Sequence, residues 1–105
     1  MIKYDGNNFT LYNSKNTPIP EDFTESIAID SKDNIWFTSC RFNLGGIVKY
    51  DGTNWNVYTP DNSDLPVNSV RCIAVDKNDN VWLALSEIVN EAYLVKISDS
   101  DWTVL

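Results

Sequence analysis

Ile27-Ala28-Ile29-Asp30-Ser31-Lys32-Asp33-Asn34-Ile35-Trp36 returns 46 positions later as Ile73-Ala74-Val75-Asp76-Lys77-Asn78-Asp79-Asn80-Val81-Trp82. Each copy is two short apolar runs joined by Asp, Asn, Lys and Ser, which reads as two strands and a tight hairpin. Asp and Asn tolerate the left-handed backbone such a turn requires at one position. Asp30 and Asp76 stand where their carboxylates can accept turn N–H groups, as local caps. The same shift lays residues 2–38 over 48–84 without a gap, with 14 of 37 pairs identical, where about two are expected by chance. A period in the range of roughly 20–50 residues marks a repeat architecture.

Outward from that hairpin, Lys3-Tyr4-Asp5-Gly6 returns as Lys49-Tyr50-Asp51-Gly52, an Asp-Gly turn between two further strands. Tyr12 returns as Tyr58 and Pro20 as Pro66. A third copy begins after a one-residue slip, with Val95-Lys96 over Val48-Lys49 and Trp102 over Trp55. One unit is therefore four antiparallel strands, a to d, and a proline-bearing link to the next. Runs such as Ile27-Ala28-Ile29 are apolar on both faces, which calls for a covering sheet on each side, as in stacked propeller blades. The expected fold is all-β: four-stranded β-propeller-type blades, about two and a half per chain, in one repeat domain. A half blade at 1–12 supplies c and d, and full blades follow at 25–59 and 70–105.

Tyr50-Asp51-Gly52-Thr53-Asn54-Trp55, Tyr58-Thr59-Pro60-Asp61-Asn62-Ser63-Asp64-Leu65-Pro66, Val70–Asp76 and Asn80-Val81-Trp82 closely resemble the two-component regulator propeller repeat. The resemblance implies a propeller like the extracytoplasmic sensor domains of hybrid histidine kinases, many of which respond to glycan fragments. It therefore implies a periplasmic or secreted location. The family usually has Gly where Asp33 and Asp79 stand, and a Gly-Thr pair where this chain has Thr38-Ser39 and Ala84-Leu85. Gly45-Gly46 keeps a family feature that Asn90-Glu91-Ala92-Tyr93 loses, and Lys96-Ile97-Ser98-Asp99 is a decayed Lys-Tyr-Asp-Gly.

Composition narrows the function. The 105 residues carry a net charge of −7 with no Lys/Arg cluster, which disfavours nucleic acid. No apolar run approaches the ~20 residues of a membrane span, and the chain as given has no signal-peptide pattern. There is no His, which removes the commonest general base and metal ligand. Cys40 and Cys72 fall opposite Ser86 and Ser26, at small-residue positions of the repeat, and read as buried or half-buried thiols without a disulfide framework. The two Asp-rich turns lack the glycine and the later Glu of a calcium loop. No metal, cofactor or catalytic constellation is expected.

Trp36, Trp82, Trp55 and Trp102 recur by register, which favours packing between blades over a sugar-stacking platform. Recognition chemistry should lie where the copies differ. Arg41-Phe42-Asn43 opposes Glu87–Glu91, so Arg41, Phe42 and Asn43 are the candidate ligand-binding residues. The function expected is non-enzymatic recognition of a carbohydrate or protein partner. The alternative is a truncated or self-assembling scaffold without a small-molecule ligand. A ring takes roughly four to eight blades, so completion needs the rest of a larger propeller or self-association. Two c–d ribbons pairing across a two-fold axis would give the favoured dimer, and an open stack is the other outcome.

Overall fold

The structure, a computed structural model, describes residues 1–41, 44–86 and 92–105. Its strands are β1 (Ile2–Tyr4), β2 (Phe9–Leu11), β3 (Ile27–Ile29), β4 (Ile35–Arg41), β5 (Leu44–Tyr50), β6 (Trp55–Tyr58), β7 (Val70–Val75), β8 (Val81–Ser86), β9 (Ala92–Ser98) and β10 (Asp101–Val104). β1 and β2 form a two-stranded ribbon. β3 to β6 and β7 to β10 form two four-stranded antiparallel sheets, each in chain order. No helix occurs among the described residues. This is the all-β, blade-type architecture that the repeat predicts.

The repeated carboxylates hold the turns. Asp30 accepts from the Lys32 and Asn34 amides at 3.0 Å, from Asn34 Nδ2 at 2.9 Å and from Trp36 Nε1 at 3.1 Å. Asp76 accepts the same four bonds from Asn78, Asn80 and Trp82. In the outer turns Asp5 accepts from Asn7 and Asn8, and Asp51 from Thr53 and Asn54. Asp33 and Asp79 adopt φ of 64° and 63°, the left-handed region that the turn requires at this position. Asp99, at φ 54°, occupies the place of Gly52.

One core lies between the two blades, where Trp36, Ile47 and Leu65 meet Ile73, Leu83, Val95 and Ile97. A second, smaller core joins Ile19, Phe37 and Val48 with Met1, Trp55 and Val57 on the other face of the first blade. The ribbon sits at that second face. Tyr12 meets Trp55 edge-on at 5.2 Å and 63°, just as Tyr58 meets Trp102 at 5.4 Å and 62°. β1–β2 therefore occupies the outer half of a preceding blade's place.

Polar contacts cross the blade interface as well. The Ile73 amide donates to Ser26 Oγ at 3.0 Å. The Ser31 amide donates to Asp79 Oδ1 at 2.9 Å, and the Ser31 hydroxyl donates to Asp79 Oδ2. Asp79 thus carries two roles, a left-handed turn and a clamp on the neighbouring blade, while Asp33 carries only the first among the described residues. Asp33→Gly should raise stability by up to about 1 kcal/mol by relieving the left-handed strain. Asp79→Gly should fail to do so because it also loses the clamp. Denaturant midpoints of the two variants check this, and equal gains would refute it.

Candidate functional site

The distal face of the second blade is open. The matching face of the first blade is covered by the second, so Ser26, Ala28, Thr38 and Ile47 have partners that Cys72, Ala74, Ala84 and Leu94 lack among the described residues. Ile47 is 0% exposed, whereas Leu94 in the same register is 43% exposed. At this face Arg71, Ala84, Leu85, Ser86, Ala92, Tyr93, Leu94 and Leu105 line an open cavity of about 530 Å³.

Its shape follows from local sequence. In the first blade the buried Thr38 hydroxyl accepts from the Glu25 and Ser26 amides at 2.8 and 3.1 Å. Ala84 stands in its place in the second blade, without a hydroxyl, and lines the cavity. The ladder shifts register between Val70 and Cys72, and Arg71 is the extra residue of that bulge. Bulges re-aim side chains. Here Arg71 donates from Nε to Ser86 Oγ at 3.2 Å and from Nη1 to Glu25 at 3.4 Å. Both Arg71 and Glu25 reach solvent, so the pair contributes little to stability and leaves the guanidinium at the cavity rim.

Arg41 ends β4 and is exposed. Phe42 and Asn43 lie outside the described residues, as do Glu87–Glu91, so their grouping with Arg41 has no geometry attached to it. Ser86 and Ala92, which precede and follow Glu87–Glu91 in the chain, both line the cavity. Sequence reasoning passed over Arg71, Ala84, Leu94 and Leu105. The signal available is that Ala84-Leu85 stands in the second copy where Thr38-Ser39 stands in the first.

The repeated aromatics behave as packing. Trp36 is buried beneath Tyr58, with ring centroids 6.2 Å apart, and Lys49 Nζ lies 5.2 Å from its ring. Trp82 has the same Lys partner, Lys96 at 5.6 Å, but is half-buried because nothing covers its face among the described residues. The cysteines divide by face too. Cys40 is buried with Sγ 3.6 Å from the Val70 carbonyl, and burial pushes its thiol pKa up. Cys72 is exposed, contrary to the buried or half-buried reading, because it lies on the open face. Both thiols are free.

No group of three or more His, Cys, Asp or Glu side chains converges as a metal site among the described residues. No helix there is long and apolar enough to cross a membrane. Comparison with protein families matches the two component regulator propeller at residues 64–87. That segment runs from the inter-blade link through β7 and β8, so it includes both Arg71 and Ala84. Comparison with curated proteins and with solved structures finds no match.

Proposed function

We propose that this two component regulator propeller chain is a non-enzymatic recognition module that binds a carbohydrate or protein ligand at the open face of its second blade. The observation that carries the proposal is the hollow at Ala84. It is a shallow, open depression with a largely apolar lining, and it has one guanidinium at its rim. Recognition sites favour such apolar concavities with few polar groups. The carboxylates that could suggest acid–base chemistry are engaged in turns: Asp30, Asp76, Asp5 and Asp51 each accept backbone N–H bonds. Family resemblance supports an extracytoplasmic setting for such a module.

A glycan array read alongside a thermal-shift screen tests this. A ligand should raise the melting temperature of the native chain and do nothing for Ala84→Trp, whose side chain fills the hollow. A hit that survives Ala84→Trp would place binding elsewhere, and the absence of any hit would sink the reading.

A second reading, a self-associating scaffold, is favoured by the same exposure. Leu94 and Leu105 lie open beside Ala84, and two such faces meeting across a two-fold axis would form a dimer. Light scattering separates the two: a dimer that Leu94→Glu disperses supports the scaffold, and a monomer that shifts with ligand supports recognition.

A further inference from the structure

We infer that the cavity of the second blade captures the C-terminal carboxylate of an apolar peptide, with Arg71 as its anchor and Glu25 as a built-in competitor for that anchor. The inference rests on the recognition reading above and names its ligand. Three repeat positions change together between the blades, and their new side chains make the site.

In the first blade these positions hold Glu25, Thr38 and Cys40. The Thr38 hydroxyl accepts the Glu25 amide at 2.8 Å, and Cys40 is buried with its thiol 3.6 Å from the Val70 carbonyl. A shift of 46 residues turns them into Arg71, Ala84 and Ser86. An acid becomes a base, a threonine loses its hydroxyl, and a buried thiol becomes a hydroxyl. All three replacements line the one cavity. Arg71 Nε donates to Ser86 Oγ at 3.2 Å, so the serine steadies the guanidinium that the bulge aims.

That guanidinium is only partly engaged. Its Nη1 reaches Glu25 Oε1 at 3.4 Å, with the two side chains 50% and 35% exposed. Nη2 has no hydrogen-bond partner among the described residues. A carboxylate can accept two parallel N–H bonds from one guanidinium, and such forked, charge-assisted pairs are the strong ones. One long contact to Glu25 is the weaker alternative, so an incoming carboxylate displaces it. No Asp or Glu among the described residues lines the cavity to repel that anion.

The rest of the lining decides what the carboxylate is attached to. Ala84, Leu85, Ala92 and Leu94 are apolar, and Arg71, Ser86 and Tyr93 are the polar contributors. A sugar carries a hydroxyl on most of its carbons and would leave several unpaired on such a surface, which weakens binding. Short aliphatic side chains match it. The depression is open on one side, so the peptide behind its last residues can leave without a clash. Capture of a terminal carboxylate, with pockets for the neighbouring side chains, is a recurring mode of peptide recognition.

The test uses the full 105-residue chain and two dye-labelled hexapeptides of one sequence ending in alanine, valine and leucine. One has a free C-terminal carboxylate and the other is amidated. Fluorescence anisotropy should show saturable binding of the acid, with the amide about tenfold or more weaker. Arg71→Met should erase the difference between the two peptides. Glu25→Gln should tighten the acid severalfold and leave the amide unchanged, whereas an ion pair with a purely structural role would alter both peptides alike. Both side chains reach solvent, so neither substitution opens the core. Equal affinity for acid and amide, a preference that survives Arg71→Met, or no peptide binding would each overturn the inference. If any of these comes with a glycan-array hit that Ala84→Trp abolishes, the recognition reading stands and only its peptide ligand falls.

Discussion

Gly46→Ala should leave little or no folded protein at 37 °C, although it adds one methyl group at a position with no unusual backbone angle. A Cβ on Gly46 would fall against the carbonyl oxygen of Tyr58 and 3.1 Å from Leu65 Cδ2. The carbonyl belongs to the end of the neighbouring strand β6, which pairs with β5 through Ile47 and Tyr58. It cannot move without opening the ladder and the link that follows it. Overpacking of this kind costs about 3 kcal/mol or more, a large part of the ~5–15 kcal/mol available to a domain. Gly52→Ala is the control. Its Cβ meets nothing within 4 Å, so it should cost only the strain of a left-handed φ, about 1–2 kcal/mol. Soluble yield and circular-dichroism melting measure both. A Gly46→Ala protein that melts within a few degrees of the parent would show that β5 and β6 separate easily.

That contrast also shows what the sequence conveyed. Gly6 and Gly52 are legible because an Asp-Gly pair between two apolar runs states a turn in local terms. Gly46 could be noticed only as a retained family feature, because its reason is a carbonyl twelve residues away along the chain. Local periodicity and turn chemistry thus predict ten strands and their pairing, and the structure has them.

The candidate site was less legible, and for a physical reason. A repeat makes equivalent residues look alike, but a blade's two faces become inequivalent once one is covered. Cys40 and Cys72 occupy small-residue positions in both copies, yet one is buried and the other exposed. Trp36 and Trp82 donate their indole N–H to equivalent aspartates, Asp30 and Asp76, yet differ in burial. Exposure here depends on a residue's place in the stack, which composition and spacing do not encode. The bulge that aims Arg71 is likewise a property of register, silent in the residue pattern.

Asp30→Ala turns that inequality of faces into a measurable difference. The carboxylate caps its turn through the Lys32 and Asn34 amides and also accepts the indole N–H of the buried Trp36. Its loss removes a cap and strands a buried donor, which together should cost about 3 kcal/mol, or roughly 10–20 °C in Tm for a domain of this size. Asp76→Ala deletes the same set of bonds, but Trp82 is half-buried and its N–H can turn to water, so the loss there should be clearly smaller. Acid should reveal the same groups. Burial acts to raise the Asp30 pKa, but the bonds from the Asn34 and Trp36 side chains outweigh it and hold it below the usual 3.8. The Trp82 and Asn80 side-chain bonds likewise hold Asp76 well below the usual value. A depressed folded-state pKa contributes stability above the unfolded value that is lost as pH falls through the folded one. The parent should therefore weaken progressively below about pH 4, and Asp30→Ala should weaken less steeply over the same interval. Urea midpoints from pH 6 to pH 2 measure this. Equal losses for Asp30→Ala and Asp76→Ala, or acid limbs that run parallel to the parent's, would mean that the carboxylates serve the turns alone and that the indole bond adds nothing.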